Sequence, residues 1–165
     1  MRNAWVNWRW FIDHQANRLV LKLANDIEFP TELKAEQINQ CEEPYTPFSA
    51  LDAELYSAFR EKFENSELDQ QGQFTVAINA TAACSYLSPI PAKSWLYQPA
   101  QCVLNKHVGD IVKLVAETEA DYLVLDKDDS SSLVVLVSKQ HQINDKRCFI
   151  QGQVMKVHND RLKRL

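Results

Sequence analysis

Glycine is scarce in this chain: Gly72, Gly109 and Gly152 are the only three among 165 residues. No two stand close enough to form a loop of backbone N–H groups around a phosphate, which excludes the P-loop and the dinucleotide-binding fingerprint. Metal-ligand spacing is missing too. His14, His107, His141 and His158 stand apart from one another and from Cys41, Cys84, Cys102 and Cys148, with no CxxC or HxxxH pair. No metal or other cofactor is expected. There is no GxSxG elbow, and nothing pairs Cys84 with a particular histidine, so no nucleophilic site is indicated. Asp126-Lys127-Asp128-Asp129-Ser130 begins like a calcium loop, but its sixth position is Ser131 and its twelfth Val137, so it reads as a solvated hairpin turn.

Long apolar runs are also lacking. The longest aliphatic stretches, Tyr122–Leu125 and Leu133–Val137, are far too short to cross a bilayer, and the polar, tryptophan-rich first ten residues hold no apolar h-region. The chain thus reads as a cytoplasmic protein without membrane insertion. Its cysteines, Cys84 among them, are expected to be reduced and mostly buried, and its histidines to be mostly on the surface. The formal net charge is −4, so no overall basic character points to nucleic acid. The balance is uneven: residues 1–88 carry 7 basic against 13 acidic side chains, and residues 89–165 carry 11 against 9.

What is present is 45% hydrophobic residues, enough to bury a core. Trp8–Ile12 is aromatic and strand-like, and Arg18–Leu23 alternates with Leu19, Leu21 and Leu23 on one face. Asn25-Asp26 suits a tight turn, after which Ile27-Glu28-Phe29 makes a third strand that Pro30 ends. Helices follow. Ser49 with Asp52 resembles a capping box, and Leu51, Leu55, Phe59 and Phe63 recur at helical spacing. Ser66 with Asp69 marks a second start, leading into Phe74, Ala77, Ile78, Thr81, Ala82 and Tyr86 on one face. Pro89 ends that helix near Leu87 or Ser88.

Ser88-Pro89-Ile90-Pro91-Ala92 is the best domain boundary, because two prolines in three residues make a stiff, extended connection. Beyond it come short β runs: 95–97, 111–115, 122–125, 133–137, 148–150 and 154–157. The expected class is α+β: an N-terminal α/β domain over 1–88, with antiparallel strands plus helices, then a C-terminal barrel-like β-domain over 89–165.

Three blocks in order carry a likeness to a known family. They are Asn7-Trp8-Arg9-Trp10 continuing through Arg18–Asn25, Tyr86-Leu87-Ser88-Pro89 continuing through Lys93-Ser94-Trp95, and Lys156–Lys163 with its Asn159-Asp160-Arg161-Leu162 core. Together they resemble the ZapC family of Z-ring-associated cell-division proteins. The likeness spans nearly the whole chain and is weakest over 98–150. It departs from the family pattern at Ser88, where the family has lysine, and at the end, where the family continues past the third block. The resemblance implies a non-enzymatic adaptor at the mid-cell division ring. Its implied partner is the globular core of FtsZ, the tubulin-like GTPase of that ring, and its implied effect is lateral bundling of FtsZ filaments. It also implies an N-terminal α/β region and a C-terminal twisted, barrel-like β-domain.

An acidic partner suits a positive patch with an apolar centre, and Lys93, Trp95 and Arg161 in the matching blocks are the candidates. The other reading makes Trp95 β-core and Lys93 merely solvated. By resemblance, Leu21 belongs to an N-terminal pocket important for bundling; by pattern it is ordinary core. Trp8 and Trp10, two residues apart on one strand face, either line that pocket or fill the core. With no heptad helix or apolar dimerisation stripe, a monomer is expected. The rival reading is a small β-barrel that binds single-stranded nucleic acid through Trp95, Tyr97, Lys93 and the basic C-terminus, which the acidic balance opposes.

Overall fold

The computed structural model describes residues 4–100 and 106–165, so Cys102 lies outside the described residues. The chain begins with a four-stranded antiparallel sheet. Strands β1 (Arg9–Asp13), β2 (Arg18–Lys22), β3 (Glu28–Lys34) and β4 (Thr46–Pro47) lie in the order β3-β2-β1-β4. The turn between β1 and β2 is set by Asp13, whose carboxylate accepts from the N–H groups of Gln15 and Ala16, and by Asn17 at φ 57°. Asn25 and Asp26 take positive φ between β2 and β3, as short polar side chains tolerate.

Pro30 does not end the third strand. β3 runs through it to Lys34, because β3 is an edge strand, where a missing N–H costs no ladder bond. The inner face pairs Trp10 with Leu21 and Leu21 with Phe29.

Two helices follow. In α1 (Ala50–Lys62), Ser49 Oγ accepts from Asp52 N and Asp52 Oδ2 accepts from Ser49 N, the reciprocal pair expected from the sequence. Its apolar stripe is narrower than the spacing predicts. Leu51 is exposed on the first turn, and Ala53, Phe59 and Phe63 do the packing. α2 (Gln70–Tyr86) is capped by Asp69, whose Oδ1 accepts from Gly72 N; Ser66 instead closes the turn after α1.

α2 is buried on more than one face. Val76, Ala77, Ile78, Ala80 and Ala82 are all fully buried, because the helix touches β3 on one side and the C-terminal sheet on another. It ends at Tyr86, just before Pro89.

The second half is antiparallel β. Strands β5 (Ile111–Val115), β6 (Glu119–Lys127) and β7 (Ser131–Leu136) pair in sequence. β8 (Gln140–Asn144) and β9 (Arg147–Ile150) form a separate hairpin, and β10 (Val154–His158) returns to β7. The main sheet runs β10-β7-β6-β5, and no closed barrel forms among the described residues. The run 95–97, expected as a strand, is instead a 3-10 turn over Ser94–Leu96.

Both faces of this sheet are covered. Leu123, Leu125, Val135 and Val137 join the core around α2, while Tyr122, Val124, Val134 and Leu136 join a second core with Tyr97, Met155 and Leu162. Two-sided burial explains the unbroken apolar runs in β6 and β7.

The described cysteines depart from their expected burial. Cys84 and Cys148 are exposed and Cys41 is half-buried, so the described thiols are not mainly core residues. His14, His107 and His158 are exposed, whereas His141 is fully buried. The 126–130 segment is a hairpin turn, as its sequence suggests. Asp128 accepts from the N–H groups of Ser130 and Ser131, and these bonds draw its carboxyl down to about 2. Among the described residues no helix is long and apolar enough to cross a membrane.

Candidate functional site

The stiff segment after Pro89 delivers the chain to the edge of β10. There Lys93 N donates to Lys156 O at 2.8 Å, and Ala92 makes a parallel bridge with Lys156. The chain then tightens into the Ser94–Leu96 turn. Buried Ser94 accepts from His158 N through its Oγ at 2.8 Å, and Tyr97 turns inward into the second core. A short 3-10 turn places successive side chains about a third of a revolution apart, so with Ser94 and Tyr97 pointing in, Trp95 points out. It is 71% exposed.

Arg161 comes from the far end of the chain, in the 3-10 turn Asn159–Arg161 that follows β10. That turn is fixed by Asn159, which takes Ser132 Oγ at 2.6 Å and donates to Asp128 O at 3.0 Å, and by fully buried Leu162. From this footing Arg161 Nε donates to both Ser94 O (3.0 Å) and Tyr97 O (3.1 Å), and Nη1 donates to Asp160 Oδ1 (2.7 Å).

The structure therefore brings Lys93, Trp95 and Arg161 to one place, but in different situations. Lys93 and Trp95 are exposed. The Arg161 guanidinium is occupied by carbonyls and one carboxylate, and its side chain is only 19% accessible.

The N-terminal candidates lie elsewhere. Trp10 and Leu21 are fully buried, which leaves neither an atom for a partner. Trp8 precedes β1 and is half-buried, set edge-on against Phe48 (5.2 Å), Tyr56 (5.8 Å) and Phe74 (6.2 Å). Trp10 shares Phe48 with it, at 5.7 Å, so the two tryptophans do face the same side.

Sequence reasoning missed an open cavity of about 480 Å³ where the two halves meet, floored by Leu87, Leu125 and Leu133 and edged by Cys84, Asp126 and Lys156. Its lining comes from three distant stretches of chain, so no local pattern announces it. Cys84 stands at its wall, and crowding by the protein, with Asp126 beside it, pushes the thiol up to about 11. At neutral pH it is a thiol rather than a thiolate, the wrong state for a nucleophile.

Comparison with known proteins divides the chain at the same proline. Residues 3–88 match the family described as "Cell-division protein ZapC, N-terminal", and residues 89–165 match "Cell-division protein ZapC, C-terminal". Similar proteins named "Cell division protein ZapC" occur in Tolumonas auensis (27% identical, covering 94% of this chain and 88% of that one). Another, from Xenorhabdus bovienii, is 30% identical, covering 94% and 87%. A third, from Pseudoalteromonas atlantica, is 30% identical, covering 95% and 90%.

Proposed function

Because this chain belongs to the ZapC family of cell-division proteins, we propose that it is a non-enzymatic adaptor that binds FtsZ and favours lateral association of its filaments. Family membership over both halves carries this reading. The displayed Trp95 beside exposed Lys93 supports it, since an aromatic with a neighbouring cation suits a protein surface rich in carboxylates. The working form is a cytoplasmic monomer at the mid-cell ring, with its two halves, divided near Pro89, offering separate surfaces. In the N-terminal half, that surface includes half-buried Trp8, set against half-buried Tyr56 and Phe74, while Leu21 and Trp10 lie fully buried in the core.

Sedimentation of GTP-assembled FtsZ with and without this protein tests the proposal. The expected result is co-sedimentation and a larger pelleted fraction of FtsZ at low centrifugal force. If the protein stays in the supernatant at every ratio, the reading is wrong. Raised salt is expected to weaken the complex through its exposed charges.

A further inference from the structure

The four tryptophans differ in placement. Trp10 is fully buried and Trp5 and Trp8 are half-buried, whereas Trp95 is 71% exposed. A single exposed apolar side chain is ordinary on a protein surface. The backbone beneath this one is not ordinary. The turn is held by Lys93 N on Lys156 O, by His158 N on Ser94 Oγ, and by Arg161 Nε on the carbonyls of Ser94 and Tyr97. Buried Tyr97, whose hydroxyl meets that of Tyr122 at 3.3 Å, ties the same turn into the second core. A side chain presented on so constrained a turn loses little backbone freedom on binding, and tryptophan is the residue type most enriched at the centres of protein interfaces.

Arg161 is the strut of this arrangement. Its Nε–H and one Nη1–H already have acceptors and its side chain is only 19% accessible, so the exposed cation beside Trp95 is Lys93.

We infer that Trp95 anchors the partner on the C-terminal half, and that Arg161 is a positioning residue acting through the Trp95 turn. The complementary surface is an apolar recess that admits an indole, edged by carboxylates that face Lys93. The excess of basic over acidic side chains in residues 89–165 fits that charge. The inference rests on the reading of FtsZ as partner.

The test is co-sedimentation of the full chain with GTP-assembled FtsZ for the wild type, Trp95→Ala, Arg161→Ala and the double variant. Trp95→Ala is expected to melt like the wild type, since its indole is mostly in water, and to bind about tenfold more weakly or worse. Arg161→Ala is expected to weaken binding by itself and to add nothing in the Trp95→Ala background, because residues acting through one contact are not additive. In protein labelled with 5-fluorotryptophan, the Trp95 fluorine resonance, identified by its loss in Trp95→Ala, is expected to shift in Arg161→Ala. If Arg161→Ala fails to fold, Arg161→Lys replaces it, keeping the charge but not the planar fork. A wild type that does not sediment with FtsZ overturns the functional reading and this inference with it. A wild type that binds while Trp95→Ala binds equally well overturns the anchor alone. Losses that add in the double variant, or an unmoved fluorine resonance, overturn the positioning role.

Discussion

The carboxylate of Asp52 joins three elements. It accepts from Ser49 N at the start of α1, from Trp10 Nε1 (3.0 Å) on β1 and from Ser85 Oγ (2.6 Å) on α2, and it is 2% exposed. Removing it takes away half of a capping box and leaves a buried indole N–H without an acceptor. Asp52→Ala is therefore expected to cost about 2–4 kcal/mol, the sum of a lost cap and an unsatisfied buried donor. Denaturant unfolding reads this directly, and a loss under about 1 kcal/mol would mean that Trp10 finds another partner.

His141 is a second residue whose chemistry is set by burial. Its Nε2 donates to Thr118 O at 2.8 Å, and its Nδ1 is hydrogen-bonded with Tyr122 Oη at 2.7 Å. Burial lowers its pKa below the ordinary 6.5. The unfolded chain takes up a proton as the pH falls past 6.5 while the folded chain does not. Stability present at neutral pH is thus lost across the window from 6.5 down to the lowered folded value, by at most about 1.4 kcal/mol per pH unit. Denaturation midpoints through this range are expected to fall more steeply for the wild type than for His141→Gln. Parallel slopes would assign the acid sensitivity to other groups.

Among the elements, the β1–β2–β3 sheet shows how little an alternating pattern says about access. Leu19 and Leu21 alternate as a half-buried strand should, and both are fully buried in a core built with residues of both helices. Leu21 sits opposite Trp10 on one side and Phe29 on the other. Leu21→Ala is expected to open a cavity and cost roughly 2–5 kcal/mol, with FtsZ binding retained by whatever fraction stays folded. A variant of unchanged melting temperature that fails to bundle filaments would show Leu21 to be a contact and not core.

The close approach of the β9–β10 turn to α2 is of the same kind. Gly152 holds φ +93°, and a Cβ built there would lie 2.6 Å from Asn79 Nδ2. Only glycine allows the C-terminal sheet to seat on the helix at this point. Caps and turns were legible from a few residues each, whereas the seating of one element on another was not.

At the scale of the whole molecule, the two halves share a core. Leu123, Leu125, Val135 and Val137, beyond the proline segment, pack in the same cluster as Val76, Ala80 and Ala83 of α2. A division near Pro89 thus separates two units that cover each other's apolar faces. A single cooperative melting transition is expected for the full chain, coincident by far-UV and near-UV circular dichroism. Two resolved transitions would mean that the halves fold independently of this shared core.

By itself the sequence determined the features whose causes lie within a few residues. These are the capping box at Ser49 and Asp52, the turn at Asn25 and Asp26, and the end of α2 before Pro89. It also carried the family likeness in three short blocks. Only the tertiary structure decided which side chains meet water. Trp95 and Trp10 are the same residue type in similarly aromatic surroundings, yet one is displayed on a pinned turn and the other is sealed beneath two helices. Arg161 reads as a free cation until Ser94 and Tyr97, more than sixty residues away, are seen to occupy it. The physical reason is one of range. Periodicity, capping and proline act along the chain, while burial and hydrogen-bond partnership depend on what the fold brings from elsewhere to cover each face.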